Sequence, residues 1–113
     1  MEHILKLSPK YFEYMKNGTK TIEARLNDDK RKNIRIGDFI VLKKKPELIE
    51  EIHTEVVDII HKDSFERLID RLDISMYSDA SETKENYLND IFHFYTKEEE
   101  QKYGVVGIKV KKV

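Results

Sequence analysis

Gly18-Thr19-Lys20-Thr21-Ile22-Glu23-Ala24-Arg25 is the stretch on which the reading of this chain turns. If the segment beyond Gly18 is extended, its side chains alternate, so Ile22 and Ala24 face one way while Thr21, Glu23 and Arg25 face the other. A hydroxyl, a carboxylate and a guanidinium then share one surface. Gly18 can take the left-handed conformation that ends a helix, and Lys20 stands just beyond it, where its amine can swing toward the same surface. The octet therefore predicts a helix-to-strand junction carrying the densest set of polar groups in the sequence.

Working outward, His3–Leu7 reads as a short strand. Ser8-Pro9 then supplies an N-cap and a proline at the first helical position, and Asn17-Gly18 closes that helix. Asn27 to Asn33 is a charged connection. Ile36-Gly37-Asp38 turns into a β-forming run, Phe39 to Leu42. After Pro46, Ile52, Thr54, Val56, Asp58 and Ile60 alternate with His53, Glu55, Val57 and Ile59, the pattern of a long strand. The short connection around Pro46 suits an antiparallel hairpin.

Ser64 caps a helix whose Phe65, Leu68, Ile69 and Leu72 form one apolar stripe. A polar loop through Asp79 leads to Ser81, read as the cap of a second helix that carries Tyr87, Leu88, Ile91, Phe92 and Tyr95 toward the core. Beyond the acidic run Glu98 to Glu100, Tyr103 to Val110 reads as a buried last strand. These elements predict an α+β fold, a small mixed or antiparallel β-barrel with flanking helices.

The 113 residues suit one domain, read as residues 1–113. Hydrophobic residues make up 39% and charged residues 38%, and 21 basic side chains face 22 acidic ones, so any nucleic-acid contact must be a local patch and not the whole surface. Without cysteine there is no disulfide, thiolate nucleophile or cysteine-type zinc site. The four histidines lack H-x-H or H-E-x-x-H spacing, so neither a metal nor a cofactor is expected. The N-terminus lacks an apolar leader and no window is long enough to span a bilayer, which reads as a cytoplasmic protein with no membrane partner.

Each candidate site residue carries two readings. Lys20 is a solvated amine, or a desolvated base, nucleophile or oxyanion donor. Glu23 and Arg25 are a structural ion pair, or they orient Lys20, fork a phosphate and read a base amino group. Thr21 packs in a strand, or serves as a nucleophile if a base adjoins it. Lys43, Lys44 and Lys45 are a solvated turn or a phosphate contact. Tyr87, Phe92, Phe94 and Tyr95 fill the core, or one that the helix leaves unburied is a base-stacking platform.

Taken together, Gly18-x-Lys20-Thr21-x-Glu23-x-Arg25, Ile36-Gly37-Asp38-x-Ile40, the aromatic helix reaching Tyr95 and Tyr103-Gly104-Val105-Val106-x-Ile108 resemble the ASCH domain family over nearly the whole chain. The resemblance implies a PUA-like β-barrel and, as in the short stand-alone prokaryotic members, an RNA-related role. It suggests binding of RNA or a nucleoside-like ligand through Lys20, Thr21, Glu23, Arg25 and the lysine run. One branch of the family hydrolyses the acetyl amide of N4-acetylcytidine with a lysine, a threonine and a glutamate. Lys20 matches that lysine, while Glu23 stands where the branch has its threonine. The branch's glutamate lies in the loop before the last helix, here Asp79-Ala80-Ser81-Glu82. An amidohydrolase would use Lys20 with Glu23 or Glu82. A third class is a protein-interaction module built on Glu98 to Glu100. The oligomeric state is left open.

Overall fold

A computed structural model of the chain describes residues 1–70, 73–79 and 81–113. Strand β1 (Glu2–Leu7) runs into helix α1 (Pro9–Lys16), and β2 (Ile22–Leu26) follows after the left-handed Gly18, whose φ is 87°. Then come β3 (Phe39–Lys44), β4 (Glu51–Lys62), α2 (Phe65–Asp70), α3 (Lys84–Ile91), α4 (Lys97–Tyr103) and β5 (Val105–Lys112), with a 3-10 turn at Ile74–Met76 between α2 and α3.

The five strands form one sheet in the order β1-β3-β4-β5-β2. β1 runs parallel to β3, and every other pairing is antiparallel, including the expected β3–β4 hairpin around Pro46. The sheet curls until its outer strands approach: the Arg25 guanidinium on β2 donates to the Lys6 carbonyl on β1 at 2.7 Å. That bond spans the seam of an open half-barrel.

Leu5, Leu7, Ile40, Leu42, Val106 and Ile108 fill the inside of the curl, and α1 closes it with Phe12 and Met15. A second core on the outer face packs Ile22, Ala24 and Leu26 of β2 against Phe65, Leu68 and Ile69 of α2 and Tyr87 and Ile91 of α3. β2 is thus apolar toward the helices, which leaves its odd-numbered residues for the inside of the curl. Gly104 joins α4 to β5 at φ 70° and ψ −174°, a conformation essentially confined to glycine.

Four expectations are corrected. Thr83, not Ser81, caps α3, because its side chain accepts the Asn86 N–H, whereas Ser81 turns back to Asp79. The aromatic helix stops at Ile91, so Phe92, Phe94 and Tyr95 lie beyond its end. The acidic run opens a separate helix, α4, fixed by a reciprocal capping box between Thr96 and Glu99. The last strand accordingly starts at Val105, with Tyr103 still helical. Ser64 does cap α2 through the Arg67 N–H, while Leu72 of the expected stripe and Ala80 fall outside the described residues. In β4 the alternation holds as far as Val56 and then shifts at a bulge before Asp58, which turns Ile59 toward the inner core.

Candidate nucleotide cleft at the barrel seam

The seam is a cleft of about 260 Å³. Lys6, Leu7 and Ser8 form one wall, Glu23 to Arg25 the other, and Tyr11 of α1, Tyr87 and Asp90 of α3 and the segment around Phe94 and Tyr95 close it. It exists because β1 and β2 are the two edges of one sheet that curls without closing.

The antiparallel register decides which way the β2 main chain points. Val110 donates its N–H to the Thr21 carbonyl, Asn27 donates to Gly104, and Glu23 faces Ile108. Odd-numbered residues are therefore bonded to β5, and the N–H and C=O of Ile22, Ala24 and Leu26 point away from it. The Ile22 carbonyl accepts from Lys20. The main-chain donor and acceptor of Ala24 lie on the side of β2 where the cleft opens.

Three charged side chains stand in series behind this edge. Lys20 Nζ donates to the Ile22 carbonyl at 2.7 Å and the Tyr77 carbonyl at 2.6 Å, and it lies 3.1 Å from Glu23 Oε1. Three acceptors thus meet the three N–H bonds of an ammonium. The side chain is 0% exposed, and its Nζ also sits over the Tyr11 and Tyr87 rings. Glu23 Oε2 accepts from Arg25 Nε at 2.6 Å. Tyr95 lies beside the guanidinium and helps to raise its pKa.

Burial lowers the Lys20 pKa from its ordinary value, against the opposing pull of Glu23. For Glu23, burial works upward, but Arg25 and Lys20 outweigh it and hold the carboxyl below its usual range. Arg25 is raised despite desolvation, again by Glu23. Burial lifts Tyr87 well above the ordinary tyrosine value. The array is a fixed row of plus, minus and plus charges, with Glu23 and Arg25 at the cleft and Lys20 behind them.

The structure treats the other sequence candidates differently. Thr21 does not line the cleft, and its N–H donates to the Met76 carbonyl. Lys43 pairs with Glu51 directly across the hairpin at 3.2 Å, and Lys44 reaches Glu13 at 2.9 Å. Lys45 alone of the run lines the cleft, with its Nζ 5.1 Å from the centre of the Phe94 ring. Phe94 is 61% exposed, the aromatic of its group left open at the rim. Glu82 is held by Ser78 at 2.9 Å, beside Lys10. Glu100 is buried and accepts the Phe65 N–H, so one of the three acids of that run is spent on joining α2 to α4.

Tyr11 and Asp90 were not singled out by the sequence. The Tyr11 hydroxyl donates to Asp90 Oδ2 at 2.5 Å, tying α1 to α3 at one end of the cleft. Burial, aided by Asp90, raises the Tyr11 pKa far beyond the tyrosine norm. The two residues are 79 positions apart, and no local spacing connects them. Among the described residues no group of three His, Cys, Asp or Glu side chains stands close enough to hold a metal, and no helix is long and apolar enough to cross a membrane.

The ASCH domain profile matches residues 5–113. No protein of curated function matches the chain. Among solved structures, the hypothetical protein PH0355 superposes with a TM-score of 0.89 at 30% identity, and all of both chains is covered. Protein PF0455 from Pyrococcus furiosus gives 0.75 at 28% identity, over 100% of this chain and 98% of that one. The ASCH protein from Zymomonas mobilis gives 0.66 at 14% identity, over 97% of this chain and 66% of that one, a likeness of fold. The mixed, curled sheet with its flanking helices is the PUA-like α+β architecture that the resemblance implies. The chain belongs to the ASCH domain family.

Proposed function

We propose that the seam cleft binds one nucleoside unit, with RNA the natural source of it given the family's RNA-related role. The observation that carries this reading is the pairing at one rim of an exposed aromatic ring, Phe94, with a lysine that has no carboxylate partner among the described residues, Lys45, above a floor of Glu23 and Arg25. A base stacks on an exposed aromatic face, and a lysine beside that ring suits the adjoining phosphate. The main-chain N–H and C=O of Ala24 offer a donor and an acceptor side by side, which complements the amide edge of a pyrimidine. Glu23 and Arg25 supply charge at the floor, and Lys20 acts through Glu23 as a positioning residue.

Phe94→Ala tests this directly. Lost stacking is worth about 1–3 kcal/mol per base, so binding of a short single-stranded RNA should weaken by roughly 5- to 150-fold. Thermal stability should not move, since the ring is largely in solvent. Fluorescence anisotropy that gives the same affinity for Phe94→Ala and wild type would contradict the proposal.

One observation favours a second reading, hydrolysis of an N4-acetylcytidine-like amide: burial moves the Lys20 pKa in the direction a general base needs. Against it, all three N–H bonds of the ammonium already have acceptors. Turnover of N4-acetylcytidine that disappears in a folded Lys20→Ala variant would establish the enzyme. No turnover leaves binding as the function.

A further inference from the structure

Across the Arg25 to Lys6 bond lies a second depression of about 470 Å³, which shares Lys6, Arg25 and Lys45 with the cleft. Its polar lining consists of His3, Lys6, Arg25, Lys30, Arg31 and Lys45, and no acidic residue contributes. That is a sharp local departure for a chain whose formal net charge is −1. Carboxylates do stand against three of these groups: Asp38 meets His3 at 2.8 Å, Glu23 meets Arg25 at 2.6 Å and Asp28 meets Arg31 at 2.9 Å. Lys6, Lys30 and Lys45 have no carboxylate partner among the described residues. Arg31 Nε is buried without a hydrogen-bond partner, an unfilled donor in the same wall.

Elsewhere Lys16, Lys32, Lys43, Lys44 and Lys111 each stand within 4 Å of a carboxylate. Other lysines, such as Lys97 and Lys102, lack one among the described residues as well but line neither depression, so what marks the trough is the gathering of Lys6, Lys30 and Lys45 around one depression. Where cations gather without acids, desolvation and mutual repulsion favour an incoming anion. Lysines at separate points along a trough fit successive phosphates better than one compact anion, which a bidentate arginine fork would hold.

We infer that this trough holds the phosphodiester backbone of a single-stranded nucleic acid whose unpaired base occupies the adjoining cleft, so that the protein binds a strand and not a free nucleoside. The trough sets the path of the backbone, and Lys45, common to both depressions, marks the crossing. The position of the base rests on the reading of the cleft given above; the anion site itself does not. A single strand is favoured over a duplex because a paired base would have to be flipped out of its stack to enter the cleft, at the cost of its pairing and stacking.

Lys30 lines the trough only and is exposed, so its substitution leaves the fold and the cleft untouched. A short single-stranded RNA of mixed sequence, its DNA counterpart and the free nucleosides are titrated across a salt series into wild type, Lys30→Ala and Lys30→Glu. The expected result is tighter binding of the strand than of any nucleoside. The slope of log affinity against log salt should fall by about 0.7 in Lys30→Ala, the value of one lost phosphate contact on a single strand. Lys30→Glu should weaken strand binding further while nucleoside affinity stays constant. The RNA and DNA arms identify which sugar is preferred.

Equal affinity for strand and nucleoside, or a salt slope that Lys30→Glu leaves unchanged, overturns the trough and leaves the cleft standing. Strand binding that depends on Lys30 with no measurable nucleoside binding keeps the trough and removes the base from the cleft. Binding of neither ligand overturns both.

Discussion

Glu23→Gln is expected to lower the folding stability by about 3–5 kcal/mol, far more than removal of an exposed ion pair. The carboxylate is, among the described residues, the one anion between the buried Lys20 at 3.1 Å and the half-buried Arg25 at 2.6 Å, and its own side chain is 10% exposed. A neutral amide of the same shape keeps the packing but leaves both cations without a counter-charge.

The pH dependence follows the same logic. The Glu23 carboxyl is held below its ordinary 4.5, so its contribution is complete above that value and is lost as pH falls through the lower folded value. Lys20 works in the other sense. With its folded pKa below 10.5, the unfolded chain binds the proton more tightly, so this group's contribution to stability rises as pH climbs from the folded value toward 10.5. Urea denaturation of wild type and Glu23→Gln at acid, neutral and alkaline pH measures both effects. A loss under about 1 kcal/mol at neutral pH would mean that water screens the row as it does a surface pair.

Arg25→Ala should be comparably damaging, at about 3–5 kcal/mol, for a different mix of reasons. It uncouples Glu23 from one of its two partners and removes the donor that joins the open edges of the sheet through the Lys6 carbonyl. Arg25→Lys separates these roles. Arginine's fork serves Glu23 through Nε and Lys6 through Nη2 at once, which one ammonium on a flexible stem does not reproduce. The lysine variant should regain part of the stability, because a cation again faces Glu23, and should still bind RNA weakly, because the seam is no longer fixed. An Arg25→Lys protein as stable as wild type and with the same RNA affinity would show that charge alone matters at this position.

Much of this was legible in the chain because local rules and tertiary demands agree. Ser8-Pro9 and Asn17-Gly18 bracket α1 with the residues that helix ends need, and the parity of Ile22, Ala24 and Leu26 against Glu23 and Arg25 gives the two faces of β2 directly. The α4 boundary was there to be read: Thr96-Lys97-Glu98-Glu99 is a capping box, masked by an acidic run that looks like a solvated loop. The β4 bulge had no such signal, since Ile59 and Ile60 are both apolar and either could continue the alternation.

For the site, strand parity and the motif that follows Gly18 identified the row Lys20, Glu23 and Arg25 but not its depth. Only the tertiary packing of the Tyr77 segment, Tyr11 of α1 and Tyr87 of α3 over Lys20 places it behind Glu23 and out of solvent. Within Lys43-Lys44-Lys45, pairing register made the difference: Lys43 lies opposite Glu51, Lys44 falls within reach of Glu13 on α1, and Lys45, past the end of β3, is left for the cleft. Which aromatic stays exposed depended on where α3 ends, and a helix continued to Tyr95 would have hidden the role of Phe94.

The central claim is that ligand enters between the two free edges of the sheet. Amide-resolved NMR, with a short single-stranded RNA titrated into the labelled protein, tests it most directly. The account predicts that shifts concentrate at Lys6, Ala24, Lys45, Phe94 and Tyr95, with Ala24 prominent because its N–H points away from β5. Shifts confined to another face, such as α4 around Glu98, or no shifts at all, would contradict it.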